Sequence, residues 1–184
     1  QKFRPYLAYQ ISPLATLGVV IAGISTSAFG SIAPLYVADL GMSNLEISYF
    51  LTAAVIGGVI VHPPAGFLAD RFDRRSVLLL FSILSAVVCL AIGSDFVGLA
   101  AQGHSVSLLL ALLFGISTFP IYSLSAAHAN DFAGSYDGLD LSASLIFFYA
   151  LGAIISPIIA GYIIGRFGTS YLFIYISLAH ILLM

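Results

Sequence analysis

Residues 46–75 read EISYFLTAAVIGGVIVHPPAGFLADRFDRR, and this stretch decides the fold class. From Ile47 to Ala69 there is no Asp, Glu, Lys or Arg. A bilayer core of about 30 Å is crossed by about 20 helical residues rising about 1.5 Å each, and this run is of that length. It stops abruptly on Asp70-Arg71-Phe72-Asp73-Arg74-Arg75, a dense charge cluster of the kind found at a membrane face.

The rest of the chain repeats the pattern. The sequence predicts an all-α integral membrane protein of six transmembrane helices. They run over Pro13–Ala38, Glu46–Ala69, Ser76–Gly93, Ser105–Ala129, Leu141–Gly165, and from Ser170 to the final residue, Met184. The division is therefore a segment 1–12 ahead of a six-helix domain 13–184. The six Lys+Arg and eight Asp+Glu all fall in loops or at helix ends, as expected when a charge at the bilayer centre costs a few kcal/mol. Ten-residue alternating segments, the mark of membrane barrels, are absent.

Composition agrees. Of 184 residues, 8% are charged and 60% hydrophobic, against about 25% charged in an average soluble domain, and the mean hydropathy is +1.09. So few ionisable groups cannot clothe a water-facing surface. Soluble enzymes and disordered chains are excluded. A net charge of −2 leaves no basic face for phosphates, so no nucleic-acid partner is expected. The single cysteine, Cys89, excludes a disulfide framework and a thiolate metal site. His62, His128 and His180 fall on different predicted helices without ligand spacing. Neither metal nor cofactor is expected.

The chain begins at Gln1 and stops inside the apolar run Tyr171–Met184, so it reads as a piece of a longer protein. Lys2 and Arg4 precede a run of membrane length with no cleavage pattern, and no signal peptide is expected. Lys2, Arg4, Arg71, Arg74 and Arg75 lie on one side of six spans and Arg166 on the other. The positive-inside rule then puts both ends of the segment in the cytoplasm. The loop Asn130–Asp140, with Asp131, Asp137 and Asp140, falls on that side too.

Gly23-Ile24-Ser25-Thr26 recurs as Gly115-Ile116-Ser117-Thr118, half the chain away. Three spans followed by three inverted spans would produce such a recurrence; so would chance among small residues. Prolines punctuate four predicted helices: Pro34, Pro63-Pro64 after His62, Pro120 and Pro157. Each removes a backbone hydrogen bond, and the reading is four interrupted helices suited to a bundle that moves. Gly161-x-x-x-Gly165 is a close-packing motif for the fifth helix.

The most specific segment is Gly66-x-x-x-Asp70-Arg71-x-x-Arg74-Arg75. A glycine near the helix end admits a close neighbour. The acid can pair with arginine or accept from a helix N-terminus, and the cluster could hold helix ends together in one state and release them in another. These residues resemble the loop signature of the major facilitator superfamily, found after the second helix of a six-helix half. The departure is Asp73, where the pattern has glycine for a tight turn; Asp tolerates left-handed backbone better than most residues.

The N-terminal half of that superfamily carries an arginine in its fourth helix, and Ser105–Ala129 has none. Lys2-Phe3-Arg4-Pro5-Tyr6 reads as the end of a central cytoplasmic linker. The chain therefore resembles the C-terminal half of a 12-helix transporter. It is most similar to the YcaD-like bacterial group, through Leu35-Tyr36, Gly66–Arg75, Phe119-Pro120-Ile121-Tyr122, Ala127-His128-Ala129-Asn130-Asp131 and Gly152-Ala153-Ile154-Ile155-Ser156-Pro157, in which Ser156 replaces a motif glycine. The resemblance implies a bacterial inner-membrane permease, a missing N-terminal six-helix half, a small-molecule substrate and alternating access. Gly66, Asp70, Arg71, Asp73, Arg74 and Arg75 would form its conformational gate, with Pro120, Gly152, Pro157, Gly161 and Gly165 as packing or hinge positions.

The candidate cavity residues are Tyr122, Tyr149, Phe147, Phe148, Ser25, Ser117 and Ser123; the same aromatics also suit plain packing. His62 reads either as a proton relay or as a histidine bonded to a neighbouring helix. His180 faces headgroups or another helix, and His128 and Asn130 suit helix capping. No carboxylate lies at membrane depth, so proton coupling would use His62 or the missing half, and uncoupled diffusion is the other reading. Two rival classes stand beside transport. One is a non-transporting scaffold or receptor on the same fold. The other is an intramembrane hydrolase built on Gly115-Ile116-Ser117-Thr118-Phe119, which lacks the second glycine and any base for Ser117. The chain is not expected to be an enzyme.

Overall fold

The computed structural model describes residues 4–94, 104–134 and 138–184; Gln1, Lys2, Phe3 and Asp137 of the foregoing reading lie outside these. Among the described residues all regular structure is helical. A short helix α1 (Leu7–Ile11) precedes α2 (Pro13–Asp39), α3 (Asn44–Arg71) and α4 (Arg74–Gly93). Then come α5 (His104–Thr118), α6 (Pro120–Asp131), α7 (Gly138–Phe167) and α8 (Tyr171–Ile181). The stretches 13–39, 44–71, 74–93, 105–131 and 138–167 are long and apolar enough to cross a membrane. The sixth predicted span is realised as the 11 residues of α8, about half the length a bilayer requires.

Local chemistry sets the helix starts. Ser12 accepts from the Ala15 amide at 3.2 Å ahead of Pro13. Ser43 and Glu46 form a reciprocal capping box, which starts α3 at Asn44, ahead of the predicted Glu46. Gly41 takes a positive φ of 80° in the turn between α2 and α3. Asp73 accepts from the Ser76 amide at 3.3 Å and the Ser76 hydroxyl at 3.2 Å, so α4 begins at Arg74. The segment 1–12 is not free from residue 4 onward. Ser144 donates to the Pro5 carbonyl at 2.7 Å and accepts from the Ala8 amide at 2.9 Å, docking α1 against α7.

Two helix pairs approach backbone to backbone. In α2 and α7, a Cβ on Gly23 would collide with the Tyr149 carbonyl, and one on Gly152 with that of Val20. In α3 and α5, a Cβ on Gly115 would collide with the Ala54 carbonyl, and one on Gly57 with that of Leu112. The contacts correspond one to one. Val20 and Gly23 match Leu112 and Gly115 at one constant offset, and Ala54 and Gly57 match Tyr149 and Gly152 at another.

The prolines behave differently from the expectation of four interruptions. α2 runs unbroken through Pro34, α3 through Pro63-Pro64 and α7 through Pro157. Only Pro120 coincides with a break between helical segments, a local one at Phe119, whose backbone stays helical (φ −67°, ψ −29°) and whose N–H still bonds the Gly115 carbonyl at 3.2 Å. The reason is visible at Pro157. Its missing N–H would leave the Ala153 carbonyl without a helical donor, and the Ser27 hydroxyl of α2 donates to that carbonyl at 2.7 Å. A neighbouring helix thus replaces the lost bond and the helix stays intact.

The core at one end is aromatic. Phe29 stacks on Phe114 at 4.3 Å, and Tyr36 meets Phe173 edge to face at 4.9 Å. Between α2, α4 and α8 lies the fully buried His180, facing other helices. Ser82 donates its only proton to the His180 carbonyl at 3.0 Å, so it receives Nδ1–H at 3.4 Å. The Ser25 hydroxyl then donates to Nε2 at 3.0 Å, and the polar hub is satisfied.

Candidate functional site

The gate candidates gather at the end of the bundle where α3 stops and α4 starts. Phe72 is extended (φ −117°) and Asp73 also has a negative φ (−56°), so the connection needs no left-handed residue. That corrects the reading in which the position demands glycine: Asp73 is there as the N-cap of α4. Arg74, the first residue of that helix, contacts two carboxylates. Its Nε lies 3.1 Å from Asp131 Oδ2 and its Nη2 3.5 Å from Asp70 Oδ1. Asp70 is in the last turn of α3 and Asp131 ends α6, so one guanidinium ties three spans together. Asp131 was legible only as a loop acid; its pairing depends on the return of α6 to the same face. Arg71 lies over the Phe67 ring at 4.5 Å, and Arg75 lines a separate hollow with Leu14 and Leu183.

Beneath the ion pairs, between α3 and α6, is a cavity of about 240 Å³. His62, Gly66, Asp70, Arg74, Ser123 and Ala127 are among its walls. His62 bonds through Nδ1 to the Gly58 carbonyl of its own helix, not to a neighbouring helix. A carbonyl only accepts, so Nδ1 carries the proton and Nε2 is left over. No atom lies within 4 Å of a Cβ built on Gly66. The close neighbour expected at that glycine is not part of the described residues.

A second cavity, of about 420 Å³, lies at the helix break. Its lining is Ala22 and Thr26 of α2, Phe119 and Tyr122 at and after the break, and Ile146 and Tyr149 of α7. The two tyrosine rings meet edge to face, 5.4 Å apart at 82°. Thr26 donates to the Ala22 carbonyl at 2.7 Å and lies 2.8 Å from the Tyr149 hydroxyl. The threonine proton is committed to the carbonyl, so Tyr149 is the donor in that contact.

The structure thus brings Tyr122 and Tyr149 together, adjacent to Pro120. Gly152 lies one turn from Tyr149, where α7 is pressed on α2. The remaining candidates fall elsewhere. Ser117 is buried and donates to the Phe114 and Leu113 carbonyls of its own helix. Ser25 is bound to His180, and Phe147 and Phe148 pack edge to face with each other. Asn130 donates to the Ala126 carbonyl, and His128 packs on Phe132. Gly161 and Gly165 would have nothing within 4 Å of an added Cβ, so no described helix packs there. Thr26, Phe119, Ala22 and Ile146 are cavity residues the sequence reading did not single out. The available signals were the recurrent Gly-Ile-Ser-Thr for Thr26 and the flanking Pro120 for Phe119.

The family model of the Major Facilitator Superfamily matches residues 15–184. The chain belongs to the major facilitator superfamily. It is an integral membrane protein, with the Asp70–Arg74–Asp131 cluster and both cavities inside the matched region. Among similar proteins is an uncharacterized MFS-type transporter of Enterobacter sp. (strain 638). It is 26% identical over 173 residues, covering 94% of this chain and 43% of the relative. The uncharacterized MFS-type transporter YcaD of Salmonella paratyphi B is 27% identical over 164 residues, covering 89% of this chain and 41% of the relative. The chain thus spans less than half the length of the curated relatives it matches. No solved structure matches.

Proposed function

We propose that this chain is the C-terminal six-helix half of a bacterial inner-membrane permease that moves a small solute by alternating access. The observation that carries the reading is the Asp70–Arg74–Asp131 bridge, which ties the ends of three spans at one face above a hollow that also holds His62 and Ser123. Such a tie favours the state in which that face is closed, and breaking it favours opening. The arginine-rich end is the cytoplasmic one by the positive-inside rule, so both termini of the segment are cytoplasmic and residues 1–12 descend from the linker between halves.

The matched backbone approaches, α2 on α7 and α3 on α5, support a 3+3 inverted repeat. The lengths of the relatives support an N-terminal half of comparable size. That half would cover the open glycines Gly66, Gly161 and Gly165 and complete the site between them. Protons are the coupling ion we favour. His62 is an ionisable side chain within α3, Nε2 is its spare nitrogen, and its cavity leads to Asp70 and Arg74.

The test is labelling of an Ala127→Cys cysteine in the full-length protein, in Asp70→Asn and Asp131→Asn backgrounds. Partly exposed ion pairs are worth about 0.2–1 kcal/mol each, so each variant is expected to raise cytoplasmic labelling by about 1.5- to 5-fold. Substrate flux should fall, with insertion and folding intact. Unchanged labelling and flux at normal expression would count against the gate.

A further inference from the structure

We propose that the cavity at the helix break receives an uncharged solute with an aromatic or apolar body and one hydrogen-bonding group, which it recognises through the hydroxyl groups of Tyr122 and Tyr149. This rests on the transporter reading and names its class of substrate.

The argument begins with what the walls lack. Among the described residues, no Asp, Glu, Lys, Arg or His lines the cavity, and the charged ones lie at helix ends or in loops. An ion placed here would meet no counter-charge from this half, so whatever hydration it gave up would go uncompensated. A neutral body pays no such penalty. It also gains by covering Ala22, Ile146 and the ring of Phe119.

The polar inventory of the site is short and directional. Thr26 gives its proton to the Ala22 carbonyl and accepts that of Tyr149. Tyr149 therefore offers its oxygen only as an acceptor. Tyr122 lines the same cavity, and among the described residues no group hydrogen-bonds its hydroxyl. Its O–H is thus a free donor beside a free acceptor, which suits a solute hydroxyl that gives one hydrogen bond and takes another. An aromatic cage for an organic cation needs several ring faces turned on one point. Here the edge of one tyrosine occupies the face of the other, so the pair does not make such a cage.

The experiment is equilibrium binding to the full-length protein in nanodiscs. The probes are 2-naphthol, naphthalene-2-sulfonate and 2-naphthylmethylamine, which share one ring system and are neutral, anionic and cationic at pH 7. We expect 2-naphthol to bind at least tenfold more tightly than either ion. Tyr122→Phe should weaken it by about two- to tenfold, the loss of one neutral hydrogen bond. Tyr162→Phe makes the same chemical change beside Arg166, outside the cavity, and should leave binding unchanged. No binding of 2-naphthol, equal affinity for a charged probe, or an unchanged affinity in Tyr122→Phe overturns the proposal. The gate is read separately by labelling at Ala127→Cys. Naphthol binding without a labelling response would sink the alternating-access reading and leave the site; a labelling response without naphthol binding would do the reverse.

Discussion

Gly152→Ala tests the packing on which the cavity depends. The new Cβ would overlap the Val20 carbonyl oxygen, a backbone atom that cannot rotate away. To reach ordinary contact, 3.4 Å or more, α2 and α7 must part by about 1 Å. The Ser27–Ala153 and Ser156–Ile24 hydrogen bonds span the same seam, at 2.7 and 2.8 Å. Parting the helices stretches both past useful length. Overpacking costs about 1–3 kcal/mol, and each interhelical hydrogen bond about 0.6–1 kcal/mol. Replacing glycine by alanine within a helix returns about 1 kcal/mol. The net expectation is a loss of about 1–4 kcal/mol. The assay is SDS titration of the full-length protein in detergent, followed by far-UV circular dichroism. Gly30→Ala is the control, since a Cβ there has nothing within 4 Å, and it should be neutral or slightly stabilising. A Gly152→Ala protein as stable as Gly30→Ala refutes the reasoning.

Two further outcomes follow from single hydroxyl groups. Ser27→Ala leaves the Ala153 carbonyl without a donor beside Pro157, and the same titration should show a loss of about 1–3 kcal/mol; no loss would mean that α7 tolerates Pro157 unaided. Ser125 is buried, and among the described residues its hydroxyl has no hydrogen-bond partner; it is wedged against Gly18. Ser125→Ala should be neutral or stabilising by up to about 1 kcal/mol, and destabilisation would show that this hydroxyl has a partner after all.

The membrane class was readable from the stretch 46–75 alone. A charge-free run of bilayer length ending on arginines has one physical meaning, because lipid neither solvates ions nor hydrogen-bonds exposed backbone. The family was readable too, since the residues of the loop signature are near neighbours in sequence: Asp70, Arg71, Arg74 and Arg75 all fall within six positions. What proline does was not readable. Pro120 coincides with a boundary between helical segments whereas Pro157 does not, and the carbonyl freed at Pro157 takes its donor from Ser27, a residue on another helix far away in sequence.

The candidate site divides the same way. Tyr122 and Tyr149 could be nominated from composition, but nothing local distinguishes them from Phe147 and Phe148, which pack on each other. Ser117 and Thr26 occupy neighbouring places in the two copies of one recurrent motif. Ser117 spends its proton within its own helix, whereas Thr26 fixes the donor direction of Tyr149.

By itself, then, the sequence determined the solvent, five of the six spans, the family and the arginine-rich face, because each is written in runs of adjacent residues. Tertiary structure alone decided that Arg74 reaches Asp131, that Gly23 and Gly152 bring α2 and α7 into backbone contact, and that a neutral cavity opens at Pro120. Those features depend on distances between helices, and such distances are set by the packing of whole faces rather than by any local order of residues.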